Sequence, residues 1–286
     1  MSYGRRIWLS LMGQGWGVRV ASLSFAVIAV MAFVGPMTPW LDPYSTDTSD
    51  LTASPTWSHL LGTDGAGRDV LSRVLVGTRT SLIVGVCSVV LLIVLATLVG
   101  SIAGYFGGWI DMILSRLIDA ILSIPLLLLV TVFIALLRPG ILTVILVIGM
   151  LGWPSTARVV RAEVLSMRQR PYIVASQLAG ARIPGIIRHH VLPNLTPLLV
   201  VASTLCLGTA ILMESTISFL GLGIKPPAAS LGSIVSLALE PGVFRNAPWI
   251  WLPAAAVLAG LVVAVNLMGD ALRAGLDPTS KEQIHV

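Results

Sequence analysis

Charge is what this sequence has least of. Asp, Glu, Lys and Arg make up 11% of its 286 residues, against roughly a quarter in an ordinary soluble domain. Apolar types make up 56%, more than a soluble interior of this size can hide, so lipid is the expected solvent. Lysine is nearly absent: Lys225 and Lys281 are the only two. Neither sits in the G-x-x-x-x-G-K-[ST] pattern whose lysine and hydroxyl hold nucleotide phosphate and metal, which excludes ATP hydrolysis by that route. No G-x-S-x-G, H-E-x-x-H or C-x-x-C pattern occurs, and His189 and His190, adjacent on a helix, point too far apart to share a metal. The two cysteines, Cys87 and Cys206, lie inside apolar runs and read as buried, inert thiols rather than a disulfide framework. The net charge of +5 comes without an aromatic-rich basic face, so nucleic acid is not the expected partner.

What the sequence has in quantity is apolar runs about 20 residues long, enough to cross a hydrocarbon core of roughly 30 Å. Six spans are expected, at about 18–36, 81–103, 112–137, 141–160, 195–220 and 250–267, giving an all-α polytopic membrane protein. The first, preceded by Arg5, Arg6 and Arg19, is long for the apolar part of a cleaved signal, and Gly35, Pro36 and Pro39 mark a helix exit; an uncleaved anchor is expected. Pro125 and Pro154 are expected to kink spans three and four. Trp249 and Trp251 open the sixth span as an interfacial belt would.

Arginine distribution sets the expected orientation. Basic residues precede span one, cluster at Arg158, Arg161, Arg168, Arg170, Arg182 and Arg188, and return at Arg273 and Lys281. By the positive-inside rule both termini and the span four-to-five loop face the cytoplasm. The domain plan is then an N-terminal segment 1–17, a membrane-spanning domain 18–270 with outer loops 39–78 and 221–248, and a tail 271–286. The first outer loop carries Asp42, Asp47, Asp50, Asp64 and Asp69. Within it Asp64, Arg68 and Asp69 admit two readings, a salt-bridged turn or a contact for an external protein.

The loop at 161–193 is long for a cytoplasmic connection. Pro171 can open a short helix through Leu178, Gly180 can end it, Pro184 can start a second, and Pro193 limits that one. Ala175, Ser176, Ala179 and Gly180 make one end of this hairpin small, while Tyr172, Ile173, Leu178 and Ile183 offer apolar anchors. Periodicity leaves two fates equal: docking another protein, or lying on the anionic inner leaflet. Arg182 and Arg188 fit either. Carboxylates inside apolar segments, Asp119 and Glu214, with Asp270 ending span six, either pair with neighbours in the bundle or bind coupling ions in a secondary transporter.

The stretch Val174-Ala175-Ser176-Gln177-Leu178-Ala179-Gly180, followed by His190-Val191-Leu192-Pro193, resembles the EAA loop of binding-protein-dependent ABC importers. Val174 stands where that motif has Glu and Ser176 where it has its second Ala. Leu61-Gly62-Thr63-Asp64 with Gly67-Arg68-Asp69-Val70-Leu71-Ser72-Arg73, and Gly104-Tyr105-Phe106-Gly107-Gly108, are similar to the peptide and nickel branch. So are Ser218-Phe219-Leu220-Gly221-Leu222-Gly223 with Pro226-Pro227, and Asn266-Leu267-Met268-Gly269-Asp270 with Leu276-Asp277-Pro278. The resemblance is to the second permease of dipeptide and oligopeptide importers. It implies a type I transmembrane fold in the bacterial inner membrane, with the hairpin as a coupling helix bearing Tyr172, Ala175, Ser176, Leu178, Ala179, Gly180, Arg182, Leu192 and Pro193. It implies a second homologous permease, two ATP-binding subunits that hold ATP and magnesium, an extracytoplasmic binding protein and surrounding lipid. This chain then binds no cofactor or metal and catalyses nothing. The expected cargo is peptide, with nickel chelates or glutathione as alternatives, and Asp119, Glu214 and Asn266 are candidates for the path or for helix locking.

Overall fold

The computed structural model describes residues 16–38, 42–47 and 49–276; Arg5, Arg6, Pro39, Asp277, Pro278 and Lys281 lie outside them. Five helical stretches are long and apolar enough to cross a membrane, and a sixth span forms if a bent pair counts as one. In order these are α1 (Trp16–Val34), α2 (Val70–Phe106), the pair α3 (Gly108–Leu122) and α4 (Leu126–Leu136), and α5 (Ile141–Arg168). The hairpin follows as α6 (Pro171–Leu178) and α7 (Ile183–Ile186), and then come α8 (Leu192–Phe219), α9 (Leu231–Val235), α10 (Val243–Asn246) and α11 (Pro248–Leu276).

The bundle is built on α2 against α5, its most extensive helix pair. Lipid is as apolar as leucine, so helices in it associate by close packing of small residues rather than by hydrophobic exclusion. One face of α2 carries Gly85, Ser88, Leu92, Ala96, Gly100 and Gly104, all buried. A Cβ on Gly100 would come 2.7 Å from the carbonyl oxygen of Ala157, and one on Gly104 2.7 Å from that of Arg161; the two backbones meet there. Val86, Val90, Val94, Leu98 and Ile102, spaced by four, form the opposite, exposed face. Cys87 belongs to that face and is exposed, contrary to the expectation of two buried thiols; an apolar run does not tell a lipid-facing side from an interior one. The central core gathers Val84 and Val89 from α2, Val130 and Ile134 from α4, Val144, Val147 and Ile148 from α5, and Ala210 and Ile217 from α8. Outside it, α11 lies along α8 and α1.

Several boundaries move from the expected places. The first outer loop ends at Asp69, not 78, because the Asp69 carboxylate caps α2 by accepting the Ser72 N–H at 2.8 Å. The extra turns are polar, and the hydroxyls of Thr78 and Thr80 bond the Val74 and Val76 carbonyls within the helix. Span four runs on to Arg168, and Pro154 sits inside α5 without interrupting it. Pro125, by contrast, opens α4 after an 81° bend. Pro193 does not end a helix either: it lies in the first turn of α8, joined to α7 by a π-helical turn, Ile187–Val191, so that 183–219 forms one span-length stretch. The loop at 161–193 thus shrinks to 169–182, since helix-compatible residues extend well beyond the hydrocarbon. The last helix likewise passes 270 and takes in the start of the expected tail. Trp249 and Trp251 are half-buried: Trp251 stacks on Phe244 with centroids 5.2 Å apart, and Trp249 lies against Gly62.

Candidate functional site

The hairpin is the most differentiated surface on the molecule. Pro171 pre-sets the first turn of α6, and its end carries the two bonds of a Schellman cap, Gly180 N–H to Gln177 and Ala181 N–H to Ser176. Gly180 has φ +79°, and a Cβ there would meet nothing within 4 Å. Backbone conformation demands glycine here; room does not.

Only one side chain of α6 is buried. Ile173 is fully enclosed by Tyr105 from α2, Val160, Val164 and Met167 from α5, Ile186, Val191 and Leu195. The expectation that Ile173 is offered to another protein is therefore corrected: it faces inward and fixes the hairpin to three long helices. Gln177 reinforces the anchor, its Nε2 donating to the Tyr105 hydroxyl at 3.0 Å. Ser176 donates to the Tyr172 carbonyl at 2.9 Å and lies 3.3 Å from His190 Nε2, while the Tyr172 ring is tilted over His190 at 6.2 Å. His189 turns to the Gly185 carbonyl instead, at 3.0 Å. What remains outward is a continuous strip of Tyr172, Ala175, Leu178 (85% exposed), Ala179, Gly180 and Arg182, with Leu192 and Pro193 exposed at the start of α8. Beside it opens a cavity of about 350 Å³ lined by Tyr105, Phe106, Arg168, Gln177, Ala181, Ile183 and Ile186.

The intramembrane carboxylates part company. Glu214 is wholly buried, with Ser81 Oγ donating to Oε2 and Ser218 Oγ to Oε1, each at 2.7 Å, and Ser215 Oγ more distantly at 3.4 Å. The Ser81 oxygen in turn accepts the N–H of Leu231, so one carboxylate ties α2, α8 and α9 together. Asp119 instead pairs with Arg158 at 2.7 Å, the two side chains 53% and 56% exposed. Asn266 sits exposed on α11, its amide oxygen directed at Gly208 of α8.

In the loop before α2, Asp64 is buried and accepts the N–H groups of Ala66 and Arg68 and the Arg68 Nε at 2.9 Å, with Arg73 Nε at 3.4 Å. Asp69 caps α2 and contacts His59 at 3.1 Å. Asp64, Arg68 and Asp69 are thus engaged within the loop. Two participants escaped the sequence reading: Ser81, an ordinary serine until the fold brings it to Glu214, and the Asp111–Arg161 pair, where Arg161 grips the carboxylate with both Nε and Nη2. Only the spacing of acid on α3 and base on α5 hinted at the latter.

Comparison with known proteins agrees with this architecture. The profile described as binding-protein-dependent transport system inner membrane component matches residues 96–281. A putative peptide permease protein of Brucella suis is 38% identical over 266 residues, 92% of this chain and 88% of the relative. The dipeptide transport system permease protein of Haemophilus influenzae is 37% identical over 94% of this chain and 92% of its own. The oligopeptide transport system permease protein of Mycobacterium tuberculosis is 35% identical over 92% and 91%. The ion-gradient-driven alternative finds no support in these matches. With a family profile covering well over half the chain, and relatives aligned nearly end to end, the chain belongs to the family of binding-protein-dependent transport system inner membrane components.

Proposed function

We propose that this chain is the second permease of an ATP-driven peptide importer, and that residues 172–193 couple its helices to separate ATPase subunits. One observation carries the reading: α6 is held by Ile173 and Gln177 to the ends of α2, α5 and the α7–α8 stretch, while its small outward strip is free. A push on that strip is delivered to three long helices at once. Ala175, Ala179 and Gly180 let a groove of an ATPase approach the backbone, with Tyr172 and Leu178 as apolar contacts and Arg182 at the rim. ATP and magnesium belong to those subunits; this chain holds neither. A homologous permease completes the conduit, an extracytoplasmic binding protein delivers cargo, and both termini and the hairpin face the cytoplasm. Peptide as cargo is supported by the likeness to the dipeptide permease of Haemophilus influenzae and the oligopeptide permease of Mycobacterium tuberculosis.

The test is ATP hydrolysis by the assembly purified through a tag on this chain and placed in lipid, with binding protein and a panel of peptides, a nickel chelate and glutathione. Peptide-stimulated hydrolysis is expected. Stimulation by nickel or glutathione alone would replace the cargo, and an assembly without ATPase would overturn the coupling role.

A further inference from the structure

The loop before α2 throws out one excursion, and its tip carries the most exposed large apolar side chain among the described residues. The base is closed where the Thr63 N–H meets the Ala53 carbonyl at 3.0 Å and the Thr52 N–H meets the Asp64 carbonyl at 3.1 Å. Residues 56–59 close the tip: the Thr56 N–H donates to the His59 carbonyl at 2.9 Å, the His59 N–H to the Thr56 hydroxyl at 3.1 Å, and the Thr56 and Ser58 hydroxyls pair at 2.9 Å. Trp57, inside this closed tip, is 98% exposed, and Leu60 just after it is 56% exposed. The backbone is tied on both sides of a tryptophan that touches almost nothing.

The tip stands at the opposite end of α2 from the hairpin. α2 has 37 residues, about 55 Å at 1.5 Å per residue; Tyr105 near its end packs on Ile173 of the hairpin, and Asp69 caps its start. The exposed apolar face of α2 begins at Val86, beyond the exposed Arg79, about 25 Å along the axis from that cap. His59 Nδ1 lies 3.1 Å from Asp69 Oδ1, and Trp57, two residues away, is within about 7 Å of His59. Trp57 is therefore presented in water, clear of the lipid-facing band of α2. The exposed charges of this loop are all acidic: Asp42, Asp47 and Asp50 face solvent, while Arg68 is bonded to Asp64 and Arg73 is buried. Asp50 adjoins the excursion, its carbonyl accepting the Thr63 hydroxyl. Hydrogen bonds from the Ser49 hydroxyl and N–H hold the Asp47 carboxyl below its usual range.

We propose that Trp57, with Leu60, is the anchor by which the extracytoplasmic binding protein docks on this chain, entering an apolar pocket rimmed by lysine and arginine on that protein. The inference rests on the peptide-import reading, in which the hairpin meets the ATPases and the far end of α2 meets the binding protein. It moves the contact from Asp64, Arg68 and Asp69, which are engaged within the loop, to the turn that Asp69 holds in place through His59. Tryptophan is the side chain most often found at the energetic centre of an interface, and a turn already closed loses little freedom on docking. The acidic surroundings repel anionic lipid head groups and steer a basic partner.

The experiment measures binding of the peptide-binding protein that stimulates ATP hydrolysis to the full assembly in lipid discs. Trp57→Ala should weaken binding about thirtyfold, and Trp57→Phe by much less. Trp16→Ala, at an exposed tryptophan on the end of α1 away from the Phe33–Arg79 contact, should not weaken it. The variants are compared at equal thermal midpoints, as side chains this exposed allow. Asp47→Asn with Asp50→Asn should slow association and flatten its dependence on salt. A polarity-sensitive dye on Trp57→Cys, with the assembly's other cysteines changed to Ala, should report water until binding protein is added. An apolar signal from the lipid disc alone would overturn the anchor by placing the turn on the membrane. Failure of the unsubstituted assembly to take up any binding protein defeats the import reading; equal affinity before and after Trp57→Ala defeats the anchor alone.

Discussion

The carboxylate of Glu214 accepts the hydroxyl hydrogen of Ser81 at 2.7 Å across 133 residues of chain, and that same serine oxygen accepts the amide of Leu231. With Ser218 on its other oxygen, Glu214 is a fastener between α2, the C-terminal part of α8 and the first turn of α9. Hydrogen bonds inside membrane bundles are worth about 0.5–2 kcal/mol each. Glu214→Leu, which breaks all of them and strands three hydroxyls, is therefore expected to lower the thermal midpoint of the purified assembly. Glu214→Gln should cost much less, because its amide oxygen still accepts one serine. If the Gln variant kept its midpoint yet lost uptake, the carboxylate would belong to the transport path instead.

Packing at Gly100 and Gly104 gives a sharper stability test. The atoms that a new methyl group would strike are backbone carbonyls of α5, which cannot rotate away. Gly100→Ala should destabilise by about 1–3 kcal/mol through overpacking, and Gly104→Ala similarly. Gly260→Ala on α11, where a Cβ meets nothing within 4 Å, should be neutral or slightly stabilising. Thermal unfolding of the three variants in one lipid mixture checks the order.

Most of the helical plan was legible because crossing a membrane demands long apolar runs, and those need no partner to be recognised. The ends were not. Val70–Thr80 is mixed in polarity, and only the Asp69 cap and the Arg73–Asp64 contact explain why it is helix. Proline was read too literally at 193, where a π-helical turn carries the chain on into α8. At the hairpin, Pro171, Gly180 and the small residues announced the shape. Nothing in the alternation of α6 told which apolar residue faced inward, since Tyr172, Ile173 and Leu178 are equally suited. Ser81 was invisible for a similar reason: a serine in an apolar run acquires meaning only from the helix beside it.

Ile173 and Gly180 separate anchoring from docking. Ile173→Ala removes a fully buried side chain from the cluster under the hairpin and should cost about 2–4 kcal/mol, loosening the lever without touching its outer strip. ATP hydrolysis should then persist while uptake per ATP falls. A variant with unchanged coupling would show that the hairpin does not act through the ends of α2, α5 and α8.

Gly180 tests the outer strip itself. Its left-handed backbone costs an ordinary residue about 1–2 kcal/mol, less for Asn, and the site has room for a side chain in the isolated chain. Gly180→Asn should thus fold, insert and retain a fraction of uptake. Gly180→Leu should insert as well, because the strain is local and the residue exposed, but it should abolish peptide-stimulated ATP hydrolysis by holding the ATPase off the backbone. The comparison that decides is co-purification of the ATPase subunits with each variant. Weaker recovery with Leu than with Asn, at equal membrane levels, is expected of a docking surface. Equal recovery and equal uptake would place this strip against lipid head groups instead.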